Sequence, residues 1–134
     1  MNDTLRVRDY MSQSLVSFTP ETSIHEAIDT LLEQRISGAP VLDSMGTLVG
    51  MLTKRDCIGI AFSASYHQDW GGPVSEYMIR DVETVDADDD IVSVAGRFVQ
   101  QGFRRFPVMH DGRVVGVISR HDVLRALRRL WGPT

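Results

Sequence analysis

The chain contains the same sequence pattern twice, and this internal repeat limits its possible folds more than any other feature. The segment VRDYM, which begins at Val7, matches VSEYM, which begins at Val74. Further along, GMLTKRD at residues 50–56 matches GVISRHD at residues 116–122. A unit of about sixty residues buries little surface alone, so we expect the two copies to pack against each other.

Each copy predicts the element order β-α-β-β-α. A strand-like piece at residues 15–18 or 82–85 comes first, followed by apolar residues spaced as on one helix face. Two strands joined by a glycine-containing turn then predict a hairpin, APVL to LVGML or FPVM to VVGVI. We expect an α/β (α+β) fold in which the two repeats pack sheet to sheet about a pseudo-two-fold axis. The predicted helix faces consist of Ile24, Ala27, Ile28, Leu31 and Leu32, and of Ile91, Val94, Ala95, Phe98 and Val99.

Polar residues mark where these helices begin. Ser23 with Glu26 has the spacing of a capping box, and Asp90 occupies the N-cap position of the equivalent helix. The predicted domain boundaries are 7–62 and 74–130, with a linker at 63–73. Tyr66 and Trp70 in the linker are expected to pack on the end of the preceding helix rather than to stack on nucleic-acid bases.

Composition excludes several classes of protein. Of the 134 residues, 43% are apolar and 24% are charged, which is typical of a soluble globular protein. A net charge of −4 disfavours nucleic-acid binding, which relies on a positive surface. The N-terminal residues MNDTLRVRD precede no apolar stretch, unlike a signal peptide, and no run is long enough to cross a membrane. With Cys57 as the one cysteine, we expect a cytoplasmic protein with no membrane association.

The repeated G-h-h-[TS]-x-x-D element, where h is apolar, supplies the candidate binding groups. It places Thr53 and Asp56 in the first copy, and Ser119 and Asp122 in the second, where a strand ends and a helix begins. Such residues can simply cap the helix. The hydroxyl and the exposed N–H groups of a helix start also favour an anion, and the carboxylate can accept bonds from neighbouring hydroxyls. Both interpretations are open at this point.

From about Val7 to Leu127, the paired pattern VxxYM…hPVh-D-x-x-G-x-h-V-G-h-h-[TS]-x-x-D resembles a tandem of CBS domains, often called a Bateman module. The resemblance implies two clefts between paired sheets that bind adenosine-containing ligands such as AMP, ADP, ATP or S-adenosylmethionine. It implies that Asp56 and Asp122 bind the ribose and that Thr53 and Ser119 bind phosphate, with no obligatory cofactor. The adenine pocket that it implies consists of Val16, Phe18, Ala39, Pro40, Val82, Val85, Phe106 and Pro107.

The two copies differ just before the proline of the hPVh strand. The second copy has Arg104 and Arg105 there, and the first has Ser37 and Gly38. In related modules an arginine at the position of Arg105 commonly reaches a phosphate, a task that suits a guanidinium. We therefore expect one stronger and one weaker phosphate site, with Arg104 as a second candidate ligand. The sequence leaves open which cleft Arg105 faces.

These observations predict a regulatory module that senses an adenosine nucleotide and signals to an unknown protein partner. The alternatives are a ligand-free dimerisation scaffold and a nucleic-acid-binding CBS protein. No nucleophile–base pair, Walker loop or GxGxxG motif indicates an enzyme. We expect a homodimer formed through the last helix of each copy, around residues 58–62 and 124–130. The histidines, at 25, 67, 110 and 121, lack metal-ligand spacing, and the acidic run at 86–90 is interpreted as helix caps. The arginines of the last helix, Arg125, Arg128 and Arg129, are interpreted mainly as a solvated face.

Overall fold

A computed structural model describes residues 5–67 and 71–132, which form four α-helices and two small sheets. The helices are Ile24–Gln34 (α1), Lys54–His67 (α2), Ile91–Gln101 (α3) and Arg120–Trp131 (α4). The strands are Gly38–Leu42 (β1), Leu48–Thr53 (β2), Val85–Asp86 (β3), Arg105–His110 (β4) and Arg113–Ser119 (β5). The predicted mixed α/β class is confirmed. None of the helices in the described part of the chain is long and apolar enough to span a membrane.

The chain divides into two compact units, and each unit combines parts of both repeats. One unit is the continuous segment Val16–Val82, which contains β1 and β2. The other joins the N-terminal segment up to Leu15 with the chain from Glu83 onward. The VxxYM segment of each repeat, which includes the short 3-10 turn Val7–Asp9 or Val74–Glu76, therefore belongs to the unit that contains the hairpin of the other repeat.

The unit Val16–Val82 is built on the antiparallel pair β1–β2. Its hydrogen-bonded register places Gly38 opposite Thr53. Phe18 adds a parallel bridge to β1, and Ile79 adds an antiparallel bridge to β2. Helices α1 and α2 pack with these strands around a core of buried apolar residues: Phe18, Ile24, Ala27, Leu31, Ala39, Val41, Leu52, Cys57, Val74 and Met78.

The second unit is built on a three-stranded sheet in the order β3-β4-β5. Strand β3 runs parallel to β4, and β4 runs antiparallel to β5 with Arg105 opposite Ser119. The N-terminal segment extends this sheet, because the backbone of Ser12 exchanges two hydrogen bonds with Val117 of β5, at 2.8 and 3.0 Å. The core contains Val7, Tyr10, Val85, Ala87, Ile91, Val94, Phe98, Phe106, Val108, Ile118, Val123 and Ala126.

The amphipathic stripes predicted for α1 and α3 form the buried faces of these helices in part. Their first, fourth and eighth positions are buried, whereas Leu32 and Val99 are exposed. Asp90 caps α3 as predicted, by accepting a hydrogen bond from the Ser93 amide at 3.3 Å. Ser23 also caps α1, but it accepts from the amide of His25 at 3.2 Å, one residue earlier than in the predicted capping box.

Three segments differ from the sequence prediction. The strand expected at residues 15–18 is reduced to the single bridge of Phe18, and the strand expected at 82–85 occupies Val85–Asp86 instead. Helix α2 continues to His67, so the first residues of the predicted linker are helical. There Tyr66 is exposed and contacts Phe62 edge to face, with ring centroids 5.4 Å apart. The prediction for Trp70 lies outside the described residues.

The glycine of the repeated V-G-h-h element allows the VxxYM segment to pass close to the second hairpin strand. A Cβ atom on Gly116 would lie 2.6 Å from the backbone oxygen of Ser12 and 3.0 Å from the sulfur of Met11. At Gly50, a Cβ would meet Met78 and would lie 3.0 Å from the backbone oxygen of Ile79. Both copies therefore need glycine for the same steric reason, which explains why glycine occurs at this position in each repeat.

This steric reason predicts that Gly116→Ala lowers the free energy of unfolding by about 1–3 kcal/mol, the usual cost of overpacking. The matched control is Gly59→Ala in α2, because a Cβ there meets nothing within 4 Å. Alanine is a better helix former than glycine, so the control should be neutral or stabilising by up to about 1 kcal/mol. Urea unfolding of the two variants measures both effects. Equal stability of Gly116→Ala and Gly59→Ala would contradict the close approach.

Candidate functional site

In the second repeat, the candidate site begins at the junction between β5 and α4, where Ser119 and Asp122 bond to each other. The Asp122 amide donates to the Ser119 hydroxyl at 3.3 Å. In return, the Ser119 amide and hydroxyl donate to Asp122 Oδ2 at 2.9 and 3.0 Å. This is a complete capping box, so the predicted helix-capping role is confirmed. One carboxylate oxygen of Asp122 therefore has two internal donors.

The first repeat builds the same arrangement at the junction between β2 and α2. The Thr53 amide and hydroxyl donate to Asp56 Oδ2 at 3.1 and 2.8 Å, and the Asp56 amide donates to the Thr53 hydroxyl at 3.2 Å. Both side chains are half-buried, as are Ser119 and Asp122. A hydroxyl and a carboxylate thus stand side by side at the positive end of a helix in each unit.

Arg105 lies beside the second of these junctions. The β4–β5 register places it opposite Ser119, and the nearby charge of Asp122 acts on its guanidinium. The side chain is half-buried, and this burial lowers the pKa of the guanidinium, while the charge of Asp122 opposes the shift. A partly desolvated cation next to a hydroxyl and a helix start is a suitable environment for a phosphate. Within its own unit, Arg105 therefore lies close to the hydroxyl–carboxylate pair of its own repeat, Ser119 and Asp122.

The first repeat excludes a side chain at the equivalent position. Gly38 is the strand partner of Thr53, and a Cβ added to it would lie 2.8 Å from the backbone oxygen of Leu52. The same atom would approach two atoms of Thr53 to 3.2 Å. Glycine is therefore required here, and the absence of a cation from this point of the first site follows from the local packing.

Arg104 is exposed, and its backbone has a defined structural role. Its carbonyl accepts a hydrogen bond from the amide of Arg120 at 3.1 Å, and this bond ties the approach to β4 to the start of α4. Ser37 makes the equivalent bond in the first repeat, accepting from the amide of Lys54 at 2.8 Å. The phosphate-binding role predicted for the Arg104 side chain stays a prediction.

The residues predicted to form an adenine pocket lie mainly in the core of each unit. Phe18, Ala39, Pro40, Val85, Phe106 and Pro107 are buried, whereas Val16 and Val82 are half-buried. The ring of Phe106 packs against Phe98 and Phe103, with centroids 4.7 and 5.4 Å away. Such a ring has little surface to offer a ligand, so Val16 and Val82 are the more accessible members of the predicted set.

Sequence reasoning missed two arginine contacts in the second unit. Arg97 of α3 stacks over the ring of Phe106 at 4.7 Å and donates to the carbonyl of Thr84 at 2.6 Å. Arg125 of α4 lies 3.6 Å from Asp122 Oδ1, although we interpreted it as a solvated helix residue. The three-residue spacing from Asp122 to Arg125, typical of neighbours on a helix, is the signal that could have identified this pair.

The described residues also include a buried thiol and a mixed cluster of ionisable groups. Burial raises the pKa of Cys57 to about 11, with a smaller contribution from the charge of Asp56, so the thiol is unreactive at neutral pH. Asp86, Asp88 and His110 bring potential ligand atoms within 4.8 Å of one another, which their sequence spacing did not indicate. Asp88 is already paired with Arg8, whose hydrogen bond lowers the pKa of that carboxyl. We interpret this cluster as an ion-pair network.

Comparison with known protein families gives two matches along this chain. The family described as the CBS domain matches residues 7–62 and again residues 74–129. Protein MJ1225 of Methanocaldococcus jannaschii is 31% identical over 125 residues, which are 93% of this chain and 44% of that protein. The chain spans about half the length of the curated relatives it matches.

Solved structures share this fold over nearly the whole chain. The crystal structure of CBSX2 in complex with AMP has a TM-score of 0.82 and 27% identity, and it covers 94% of this chain and 98% of that one. CBSX2 is a protein of Arabidopsis thaliana. The CBS domain pair of protein MJ0100, in complex with 5′-methylthioadenosine and S-adenosyl-L-methionine, has a TM-score of 0.78 and 29% identity. It covers 92% of this chain and 96% of that one.

Proposed function

Because the chain belongs to the CBS domain family and contains two copies of its domain, we propose that it is a regulatory module for an adenosine-containing ligand. Binding changes the packing of the module and thereby signals to a protein partner. The proposal rests on one observation: each repeat has a hydroxyl–carboxylate pair at its strand-to-helix junction. A binding module needs no catalytic group, so we propose that the chain is not an enzyme.

Each chemical group of the ligand has a matching group at the second junction. Asp122 offers carboxylate oxygens to the adjacent hydroxyls of a ribose. Ser119, the N-terminal amides of α4 and the Arg105 guanidinium provide donors and positive charge for a phosphate. When the Ser119 hydroxyl donates its hydrogen bond to a phosphate, it no longer donates to Asp122 Oδ2. That oxygen can then accept a hydrogen bond from the ribose. The proposed roles are therefore mutually compatible.

The difference between the repeats suggests a difference in ligand charge. The second repeat has Arg105 beside its hydroxyl, whereas the first has Gly38 at a point where no side chain fits. We propose that the Ser119 site prefers phosphorylated ligands such as AMP and that the Thr53 site binds them more weakly. Related structures contain adenosine ligands with and without a phosphate. CBSX2 was solved with AMP, and MJ0100 was solved with 5′-methylthioadenosine and S-adenosyl-L-methionine.

The proposed setting of this module is the cytoplasm. Its one cysteine, Cys57, is a buried thiol with no disulfide partner, which suits a reducing compartment. The partner that receives the signal is a protein, because the net charge of −4 disfavours nucleic acid. The absence of nucleic-acid binding is part of the proposal.

Calorimetric titration of the protein with AMP and with adenosine tests this function. Asp122→Asn should weaken both ligands at the second site at least about tenfold, because a hydrogen bond to a charged group contributes roughly 1.5–3 kcal/mol. Arg105→Ala should weaken AMP far more than adenosine, since adenosine has no phosphate. The matched control is Arg113→Ala, an exposed arginine at the other end of the same hairpin, opposite His110. It should leave both affinities unchanged.

Two outcomes of the titration would oppose the proposal. If neither AMP nor S-adenosylmethionine produced heat at millimolar concentration, the chain would be better described as a ligand-free scaffold. If AMP bound but Asp122→Asn and Asp56→Asn both bound it normally, the two junctions would be helix caps only. Binding of DNA or RNA that weakened steeply with salt would favour the nucleic-acid alternative.

Exposed apolar residues on two helices favour self-association as the second part of this proposal. In α2 the exposed residues Ile58 and Phe62 are four positions apart and lie on one helix face. In α4 Leu124, Leu130 and Trp131 are exposed. Covering apolar side chains that are exposed to water stabilises an interface by about 25 cal/mol per Å² of apolar surface buried. We propose that these faces are covered by a second copy of the chain in a symmetric homodimer.

The dimer predicts a light-scattering mass of twice the chain mass of 15.0 kDa. Phe62→Glu should convert it to a monomer, because Phe62 is 66% exposed in the single chain and a buried charge would oppose the interface. Val99→Glu in α3 is the matched control, since Val99 is 84% exposed and lies outside both faces. A wild-type mass near 15.0 kDa at high protein concentration would contradict the dimer.

A further inference from the structure

Arg125 connects the candidate ribose carboxylate with the N-terminal segment. One terminal nitrogen of its guanidinium lies 3.6 Å from Asp122 Oδ1 and donates to the backbone carbonyl of Tyr10 at 3.3 Å. The guanidinium also lies over the Tyr10 ring, 5.4 Å from its centroid, which is within the range of a cation–π interaction. The same nitrogen therefore takes part in both contacts and links Asp122 to Tyr10.

The N-terminal segment that receives Arg125 is itself fixed to the strand leading into the site. Tyr10 is buried, and its hydroxyl accepts a hydrogen bond from Arg129 at 3.5 Å. Two residues later, Ser12 exchanges both of its backbone hydrogen bonds with Val117. Val117 precedes Ser119 by two positions on β5. A short path of direct contacts thus runs from Asp122 through Arg125 to Tyr10 and back to the same junction.

The two oxygens of Asp122 have different surroundings. Oδ2 accepts two hydrogen bonds from Ser119, whereas Oδ1 faces Arg125. A ligand that offers two adjacent hydroxyls must use Oδ1 for at least one of them. That hydroxyl would bond to the oxygen that faces the guanidinium, and an oxygen that shares its negative charge with a second donor attracts the guanidinium less strongly. The side chain of Asp122 is only 16% exposed, which leaves little room for both.

We propose that Arg125 is a positioning residue that couples occupancy of the Asp122 site to the N-terminal segment at Tyr10. This inference rests on the proposed adenosine site. The ligand ribose weakens the Arg125–Asp122 pair, and the shared nitrogen then shifts against the Tyr10 carbonyl and ring. Coupling between two contacts is reciprocal, so removing Arg125 should strengthen ligand binding.

The first repeat lacks this connection. Gly59 stands three residues after Asp56, where the second repeat has Arg125, so the first repeat has no side chain at the equivalent position. Tyr77, the counterpart of Tyr10, instead donates its hydroxyl hydrogen to the carbonyl of Gly71 at 2.5 Å. The coupling is therefore specific to the second repeat, which is also the repeat with Arg105.

The test is an NMR titration of the full chain with adenosine and with AMP, following the amide signals of residues 119–123 to report the second site. Arg125→Ala should tighten both ligands about two- to fivefold, the range expected when a partly exposed ion pair is released. The gain should disappear when Asp122→Asn is also present. Arg129→Ala is the matched control, because Arg129 contacts the Tyr10 hydroxyl, and it should leave the affinity unchanged.

A spectroscopic signal tests the contact directly. The Nε–H correlation of Arg125, assigned by its loss in Arg125→Ala, should shift as ligand is added to the wild type. The backbone amide of Met11, which follows the Tyr10 carbonyl, should shift in the same titration. In Arg125→Ala, the Met11 signal should no longer respond, while the amide of Asp122 still does.

Several results would overturn the inference. Weaker binding of AMP but unchanged binding of adenosine in Arg125→Ala would make Arg125 a phosphate ligand. An equal gain from Arg125→Ala with and without Asp122→Asn would show that it acts elsewhere. Ligand binding that left the Arg125 signal unmoved would exclude the coupling while leaving the proposed function intact. No response of any signal to either ligand would refute the proposed function and this inference together.

Discussion

The reciprocal hydrogen bonds between a hydroxyl and a carboxylate three residues later determine how each unit is built. Ser119 and Asp122 satisfy backbone donors at the start of α4, and Thr53 and Asp56 do the same for α2. These bonds join the last residue of each strand to the first turn of the helix that follows it. They also hold the same polar groups, half-buried, at the helix end where an anion is favoured. Structure and proposed binding thus depend on one set of contacts.

The sequence predicted the fold class, the hairpins and the helix starts because these depend on local patterns. Apolar spacing, a turn glycine and a capping residue each act over a few positions. It could not predict which unit each VxxYM segment joins, since the two segments are nearly alike and the choice depends on tertiary contacts. The close approach of Met11 and Ser12 to Gly116 becomes visible only in three dimensions. The strand predicted at 15–18 was wrong for a related reason, because tertiary contacts leave this segment with a single bridge to β1, at Phe18.

The site was predictable in its repeated part and less so in the part that differs between repeats. The [TS]-x-x-D element identified its own four residues, and the Arg105–Gly38 difference was visible in the aligned copies. Packing explains that difference, because a side chain at Gly38 would strike the backbone of β2. The role of Arg125 was missed because its three-residue spacing from Asp122 indicates an ion pair on one helix and gives no sign of a contact with a distant segment. Its importance comes from a contact with Tyr10, which lies 115 residues earlier in the chain.

We propose that the two strand-to-helix junctions are unequal adenosine sites, with the phosphate bound in the second repeat. A crystal structure of the protein grown with AMP tests this most directly. We expect AMP with its ribose hydroxyls on Asp122 and its phosphate within about 3.2 Å of Ser119 and Arg105. Occupancy at Asp56 should be lower or absent. AMP bound without contact to either junction, or with its phosphate at Thr53 and none at Ser119, would contradict the proposed pair of unequal sites.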